Sequence, residues 1–173
     1  MLLTKDDIDE NEIRQAKMVH AGSVNMTKEP ARGANLYAMK LAYDNGKLVS
    51  FDVNYRDTLW ENEAACKEVA DQVYDYVDFL KISEEELYFV GGEENIPAFM
   101  KEHGISVVIE TLGADGAKYF FDGHIGHQPG HKVHAVDATG AGDAFWGGFL
   151  SCVLNHGVSS VDQLNAELLK EAV

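Results

Sequence analysis

Short apolar runs alternate with longer segments of helical period along much of the chain, and this alternation constrains the fold more than any other feature. The runs of strand length, rich in β-branched and aromatic residues, are 18–24, 48–53, 79–82 and 107–111. The segments in which apolar residues recur every three to four positions are 31–43, 61–77 and 96–103. Strands that alternate with helices in this way predict a layered α/β fold, with helices covering a mostly parallel sheet.

The pattern changes in the later part of the chain. Residues 117–121 form another apolar run, and the Asp122-Gly123 turn with the polar segment after it predicts an antiparallel hairpin. Near the end, Ser159 or Ser160 can cap a last amphipathic helix. No repeat or linker divides the sequence, so we expect residues 1–173 to form one α/β domain.

The charge balance excludes several classes of partner. The chain carries 29 Asp and Glu against 14 Lys and Arg, a formal net charge of −15. Such a surface repels a phosphate backbone and an anionic membrane, so we expect neither nucleic acid nor membrane as a partner. A phosphate site in so acidic a chain needs backbone N–H groups, helix N-termini and bound magnesium, and is therefore expected to be glycine-rich.

Cysteine usage indicates the compartment. The two cysteines, Cys66 and Cys152, lie in segments of helical period and lack the spacing of a disulfide or a zinc site. The sequence also contains no signal-peptide pattern and no apolar run of membrane-spanning length. These features predict a reducing, cytoplasmic location.

One run of small residues, Asp137-Ala138-Thr139-Gly140-Ala141-Gly142-Asp143, leads into a segment with an apolar helical face. Small side chains let the N–H groups of Gly140, Ala141 and Gly142 converge on one oxygen, and the helix dipole adds a partial positive charge. Asp143 then lies in the first helical turn, where its carboxylate can accept a proton from an attacking hydroxyl. The same run could instead serve close packing of a helix on a strand, with Asp143 as a favourable helix-start carboxylate.

This run resembles the signature of the ribokinase-like (PfkB) carbohydrate kinase family, Asp-Thr-x-Gly-Ala-Gly-Asp, with Ala138 replacing the usual Thr or Ser. The resemblance implies a ribokinase-like fold, ATP as phosphoryl donor, Mg²⁺ as the metal ion and a sugar as acceptor. It also implies that Asp143 is the catalytic base and that residues 140–142 form the anion hole.

A second run, Thr111-Leu112-Gly113-Ala114-Asp115-Gly116, directly follows a predicted strand. By itself it is an ordinary glycine-containing turn. In the resembled family a Thr- or Ser-x-Gly-x-x-Gly turn at this place contacts the nucleotide phosphates. The resemblance therefore implies that Thr111, Gly113 and Gly116 bind nucleotide.

A third run, Lys81-Ile82-Ser83-Glu84-Glu85-Glu86, follows the strand predicted at 79–82. Many family members have Asn-x-x-Glu here, and Ser83 replaces the Asn. The resemblance implies that Lys81 and Ser83 lie at the nucleotide and that Glu86 helps to organise magnesium, through water. An acidic helix N-terminus would give the same pattern without any metal.

A fourth run, from Ser50 to Trp60, resembles the Phe-Asp-Pro-Asn-Tyr-Arg-x-x-Leu-Trp segment of fructokinase-like and ketodeoxygluconate-kinase-like members, with Val53 replacing the Pro. Residues at the carboxyl end of a strand in an α/β sheet are expected to face the ligand. The resemblance implies that Asn54 and Arg56, with Asp143, bind the substrate. Arg56 could instead form an ordinary surface ion pair with a neighbouring carboxylate.

Four histidines follow the predicted hairpin turn at a spacing that could hold a metal ion: His124, His127, His131 and His134. The corresponding stretch of the resembled family is a polar connection that leads to the signature. A solvated, histidine-rich hairpin is therefore the favoured interpretation.

The resemblance corresponds to the middle and later part of a complete family member, so we expect the chain to lack both the amino-terminal sugar-binding and lid region and the extreme carboxyl terminus of such a member. No Gly-Gly-x-x-x-Asn sugar motif precedes Met18, and in complete members that region supplies the first strands and a lid over the sugar. We therefore expect an exposed sheet edge and self-association through it. Two alternatives to a fructokinase stay open: a nucleotide-binding fragment without turnover, and a kinase for ketodeoxygluconate, ribose or a nucleoside.

Overall fold

The computed structural model describes residues 3–134 and 136–173. Its strands are β1 (Met18–Gly22), β2 (Leu48–Asp52), β3 (Phe79–Ser83), β4 (Val107–Thr111), β5 (Ala117–Phe121) and β6 (His124–Gln128). Its α-helices are α1 (Glu10–Gln15), α2 (Ala31–Asp44), α3 (Glu63–Ala70), α4 (Ile96–His103), α5 (Ala141–Asn155) and α6 (Ala166–Ala172). Short 3₁₀ turns cover Lys5–Asp7, Ser23–Met26, Tyr74–Tyr76, Glu84–Val90, Glu93–Asn95, Gly113–Asp115 and Val161–Gln163.

The strands form one six-stranded sheet in the order β1-β2-β3-β4-β5-β6. The pairs from β1 to β4 are parallel, and β4-β5 and β5-β6 are antiparallel. This arrangement confirms the predicted layered α/β fold with a mostly parallel sheet. It also brings the carboxyl ends of β1 to β4 to one edge of the sheet, where the predicted site residues follow β2, β3 and β4.

Two apolar cores lie on opposite faces of the sheet, since neighbouring strand residues point to opposite sides. Leu80 belongs to the core that packs under α2, α3 and α4, whereas the adjacent Phe79 belongs to the core under α5 and α6. On this second face the ring of Phe149 in α5 packs edge-on against that of Phe79 in β3, with centroids 6.2 Å apart. Helix α5 is therefore anchored on the sheet by aromatic packing.

Most predicted elements are confirmed, with β4, β5 and α4 at the predicted bounds. The helix predicted over 61–77 is wrong beyond Ala70, where α3 ends and a turn with a 3₁₀ segment follows. The helical period marked the buried side correctly, because Val73 and Tyr74 are both fully buried. The segment after α3 turns toward the start of β3. The Asp78 carboxylate stabilises this turn by accepting the Val49 N–H at 2.8 Å.

The start of the last helix also differs from the prediction. Ser160 precedes a 3₁₀ turn, and α6 begins only after Asn165. The Asn165 side-chain oxygen accepts the Leu168 N–H at 3.0 Å, as an N-cap residue does. Within the described ranges, none of the helices combines the length and apolar character needed to cross a bilayer.

Candidate active site

The predicted site residues meet at the carboxyl end of the parallel strands. A cavity of about 390 Å³ is lined by residues that follow β2, β3 and β4 and by the segment that begins α5. It includes Asn54, Ser83 and Thr111, each from a different strand end, together with Gly142 and Asp143. The sheet topology thus brings together residues separated by up to 89 positions in the sequence.

The start of α5 presents backbone donors to this cavity. Gly140 is the N-cap residue and has a φ of 76°, a left-handed conformation in which glycine is favoured. The Ala141 N–H donates to the Ala138 carbonyl at 3.0 Å and so closes the turn. Among the described residues the N–H groups of Gly140, Gly142 and Asp143 have no acceptor. Of the three predicted anion-hole donors, those of Gly140 and Gly142 are therefore open, whereas the Ala141 N–H closes the turn.

Asp143 stands between two cavities. The second cavity, of about 550 Å³, lies beside β1 and β2. The two cavities share a wall formed by Asn54, Arg56, Thr139, Gly140 and Asp143. The Asp143 carboxylate is exposed and accepts a hydrogen bond from Asn54 Nδ2 at 3.3 Å. A base in this wall can reach a hydroxyl on one side while a phosphoryl group lies on the other.

Asn54 and Arg56 form the β2 side of this wall. Asn54 has a φ of 41°, a left-handed conformation that asparagine tolerates better than most residues. The Arg56 Nη1 donates to the Tyr55 carbonyl at 2.9 Å, and its side chain is exposed. In the part of the chain that the structure describes, Arg56 forms no ion pair. The structure therefore does not contain the alternative surface ion pair with a neighbouring carboxylate.

A buried ion pair lies beneath the start of α5. The Lys81 Nζ is 2.9 Å from both Asp52 carboxylate oxygens, and the two residues are only 5% and 3% exposed. Burial raises the pKa of the Asp52 carboxyl, and the neighbouring Lys81 ammonium opposes that shift. A Cβ on Gly142 would lie 3.5 Å from the Lys81 Nζ. The ammonium thus adds positive charge directly below the predicted anion hole.

Glu86 joins the loops that follow β2 and β3. Its Oε1 accepts the Tyr55 N–H at 2.6 Å and its Oε2 accepts the Ser83 N–H at 2.8 Å. Burial raises the pKa of the Glu86 carboxyl, and the two backbone N–H groups partly offset this. The sequence pattern indicated the position but not this bracing contact, because the partner Tyr55 is 31 residues away.

The glycine-containing turn after β4 reaches the site through its first residue. Thr111 lines the 390 Å³ cavity, and its Oγ1 donates to the Ile82 carbonyl at 3.4 Å. Gly113 and Gly116 lie outside the lining of that cavity and have φ values of 56° and 96°. A Cβ on Gly116 would fall 2.0 Å from the Gln128 carbonyl oxygen, so close packing of the hairpin already requires glycine there. Nucleotide contact by these two glycines stays a prediction.

A hydrogen-bonded chain of three residues was not predicted from the sequence. The Trp146 Nε1–H donates to Ser50 Oγ at 3.0 Å, and Ser50 Oγ is 3.0 Å from His20 Nδ1. The indole N–H occupies one lone pair of the Ser50 oxygen, so the hydroxyl bridges Trp146 and His20. His20 lines the 550 Å³ cavity, and partial removal of its ring from water lowers its pKa, so it stays neutral. A fully buried serine inside the apolar run of β2 was the one sequence signal of this network.

The four histidines of the hairpin segment lie at the protein surface. His124 and His127 belong to β6, and His127 Nε2 is 2.9 Å from the Asp115 carbonyl oxygen. Within residues 3–134 and 136–173, these histidines form no cluster of three metal-ligating side chains. All four side chains are exposed, as a solvated hairpin requires.

Comparisons with known proteins give one family. The model of the pfkB family carbohydrate kinases matches residues 1–166. The chain is 35% identical over 171 residues to Fructokinase-1 of Oryza sativa subsp. japonica, covering 96% of this chain and 53% of the rice protein. It is 36% identical over 180 residues to Fructokinase-2 of Zea mays, covering all of this chain and 52% of the maize protein. The chain spans about half the length of the curated relatives it matches.

Solved structures resemble the chain over almost its full length. A double mutant of fructokinase from Vibrio cholerae O395, in a fructose, ADP and potassium ion bound form, has a TM-score of 0.85 and 28% identity and covers 99% of this chain and 54% of its own. Aminoimidazole riboside kinase from Salmonella enterica, complexed with aminoimidazole riboside and an ATP analog, has a TM-score of 0.83 and 30% identity and covers 99% of this chain and 56% of its own. These likenesses confirm the predicted ribokinase-like fold.

Proposed function

The chain belongs to the pfkB family of carbohydrate kinases, and on this premise we propose that it transfers the γ-phosphoryl group of ATP to a hydroxyl of a sugar, with fructose as the acceptor. The observation that carries this proposal is the position of Asp143 in the wall shared by two cavities, at the open N-terminus of α5. One cavity suits the triphosphate and the other suits the sugar.

Each residue around the shared wall has a separate role in phosphoryl transfer. The sugar hydroxyl gives its proton to the Asp143 carboxylate while its oxygen forms a bond to the γ-phosphorus, and the bond to the ADP oxygen breaks. The open N–H groups at Gly142 and Asp143, with the Lys81 ammonium below them, stabilise the negative charge on the transferring group. Asn54 holds Asp143 in place, and Arg56 reaches both cavities and can bind phosphate or sugar oxygens.

We assign the nucleotide side of the site to Ser83, Thr111, Gly113 and Gly116, and magnesium to the acidic residues beside it. Glu85 is exposed and Glu86 is buried in the wall of the 390 Å³ cavity, and such hard oxygen donors suit Mg²⁺, which keeps part of its water shell. Each Glu86 oxygen already accepts one backbone N–H, so Glu86 would act through metal-bound water. A bound Mg²⁺ would neutralise charge on the ATP phosphates.

Fructose is the acceptor best supported by the relatives, since the rice and maize proteins are named fructokinases at 35% and 36% identity. The Salmonella riboside kinase, at 30% identity, supports a nucleoside-like acceptor as the alternative. A cytoplasmic setting suits this function, because ATP is available there and both cysteines are free thiols.

The proposal is tested by ADP formation by the purified chain with Mg²⁺, ATP and a panel of sugars and nucleosides. We expect ADP formation that requires both Mg²⁺ and an acceptor and is fastest with fructose. The Glu86→Gln variant should need a higher Mg²⁺ concentration than the parent, whereas the Glu94→Gln control should need the same concentration as the parent. MgATP that raises the melting temperature without acceptor-dependent turnover would instead indicate a nucleotide-binding fragment. The proposal would be contradicted if the chain showed no turnover and MgATP did not raise its melting temperature.

We also propose that the chain self-associates through β1. In the described residues β1 pairs only with β2, so its outer edge presents unpaired N–H and C=O groups, and the five residues of the strand are mostly half-buried or exposed. Such an edge is a template for pairing with another copy. Sedimentation over a range of concentrations should show a dimer in the parent and a monomer in Met18→Pro, since the Met18 N–H faces away from β2 and proline removes this edge donor. A parent that sediments as a monomer throughout would rule out this association.

A further inference from the structure

Three metal-ligating side chains meet at the end of α5 that lies away from Asp143. Cys152 and His156 are four residues apart, a spacing that places side chains on one face of a helix. Glu171 comes from α6, and the ligand atoms of all three residues lie within 4.8 Å of one another. Since Cys152 is nine residues beyond Asp143, the cluster lies about 14 Å from it along the helix axis. It is therefore separate from the phosphate site.

The His156 ring lies between the other two side chains of this cluster. Its Nδ1 is 3.0 Å from the Cys152 carbonyl oxygen and 3.8 Å from Cys152 Sγ, and its Nε2 is 3.6 Å from Glu171 Oε2. A cation at this place would therefore meet ligand atoms from both helices. Among the described residues Glu171 forms no ion pair with a lysine or arginine.

The surroundings hold the three ligands and favour positive charge. Phe149 and Val153 of α5 and Leu168 and Leu169 of α6 are buried in one core, so the two helices are fixed relative to each other. His156 is the C-cap residue of α5, where the helix dipole contributes a partial negative charge. The net charge of −15 adds to the attraction for a cation.

We propose that Cys152, His156 and Glu171 bind a divalent transition metal ion of the Zn²⁺ class, with water completing the coordination. A thiolate, an imidazole nitrogen and a carboxylate are the ligand set of such ions, whereas Mg²⁺ and Ca²⁺ require oxygen ligands. Binding replaces the thiol proton of Cys152, which is released to solvent as the metal–sulfur bond forms, so affinity rises with pH. This assignment revises the sequence-based expectation that neither cysteine belongs to a metal site.

The site is tested with Co²⁺, whose bond to a thiolate gives a charge-transfer absorption band. Titration of the whole chain should develop this band at one equivalent, and Zn²⁺ should abolish it by displacement while excess Mg²⁺ leaves it unchanged. Cys152→Ser should lose the band, and His156→Gln should weaken Co²⁺ binding by about tenfold or more. Cys66→Ser is the matched control, because Cys66 is buried in the other core, and it should keep the band.

Two outcomes would overturn the proposal. One is a parent chain that binds no Co²⁺ at micromolar concentration. The other is a band that persists in Cys152→Ser, which would place the metal elsewhere. The readout does not depend on turnover, so it is independent of the kinase proposal.

Discussion

Replacing Asp143 with asparagine should lower the rate of acceptor-dependent ADP formation by about 10²- to 10⁴-fold, the usual effect of losing a general base. Asparagine keeps the size of the side chain and the contact with Asn54 but cannot take the hydroxyl proton. Because Asp143 is exposed, we expect the free energy of unfolding to change by no more than about 0.5 kcal/mol. Steady-state kinetics, with a thermal melt of each protein, measure both quantities.

Asp122→Asn is the control for the chemical change itself. Asp122 is exposed in the turn between β5 and β6 and has a φ of 45°, which asparagine also tolerates. This variant should keep the parent rate. Stabilisation by MgATP should survive in Asp143→Asn, since the backbone donors at the start of α5 are unchanged. A parent-like rate in Asp143→Asn would refute the role of this carboxylate as the base.

Replacing Lys81 with methionine should reduce the free energy of unfolding by about 3–5 kcal/mol, because it leaves the Asp52 carboxylate buried without its partner. Both Asp52 oxygens are 2.9 Å from the Lys81 Nζ, and Asp52 is 3% exposed. Urea denaturation measures the loss. Burial already raises the pKa of Asp52, so in this variant the carboxyl binds a proton more readily in the folded than in the unfolded state. The loss should therefore shrink as the pH is lowered.

Two further variants separate a buried charge from lost packing. Asp52→Asn combined with Lys81→Met removes both charges and should recover most of the lost stability. Lys40→Met breaks an exposed pair with Asp44 on α2 and should cost only about 0.5 kcal/mol or less. A loss in Lys81→Met as small as that in Lys40→Met would contradict the assignment of a buried, charged pair.

The sequence predicted the elements and the residues of the wall, but not how the site is held together. Local period and turn residues located β4, β5 and α4, because these elements follow from neighbours along the chain. The motif identified Asp143, and the strand-end rule placed Asn54 on its side of the sheet. The contact of Trp146 with Ser50 joins residues 96 positions apart, and nothing local to either residue marks the other. The Asp52–Lys81 pair and the bond from Tyr55 to Glu86 could not be predicted for the same reason, since the partners lie far apart in the sequence.

The order of the strands also has a consequence for how the chain folds during synthesis. Each strand from β2 onward pairs with the strand that precedes it in the sequence, so its template already exists when it leaves the ribosome. Such sequential pairing suits growth from the amino end, because each strand from β2 to β6 meets a partner that has already been synthesised. Residues 139–143, which include the α5 side of the wall shared by both cavities, emerge after all six strands. In a nascent chain the six described strands can therefore pair before the two cavities have their shared wall.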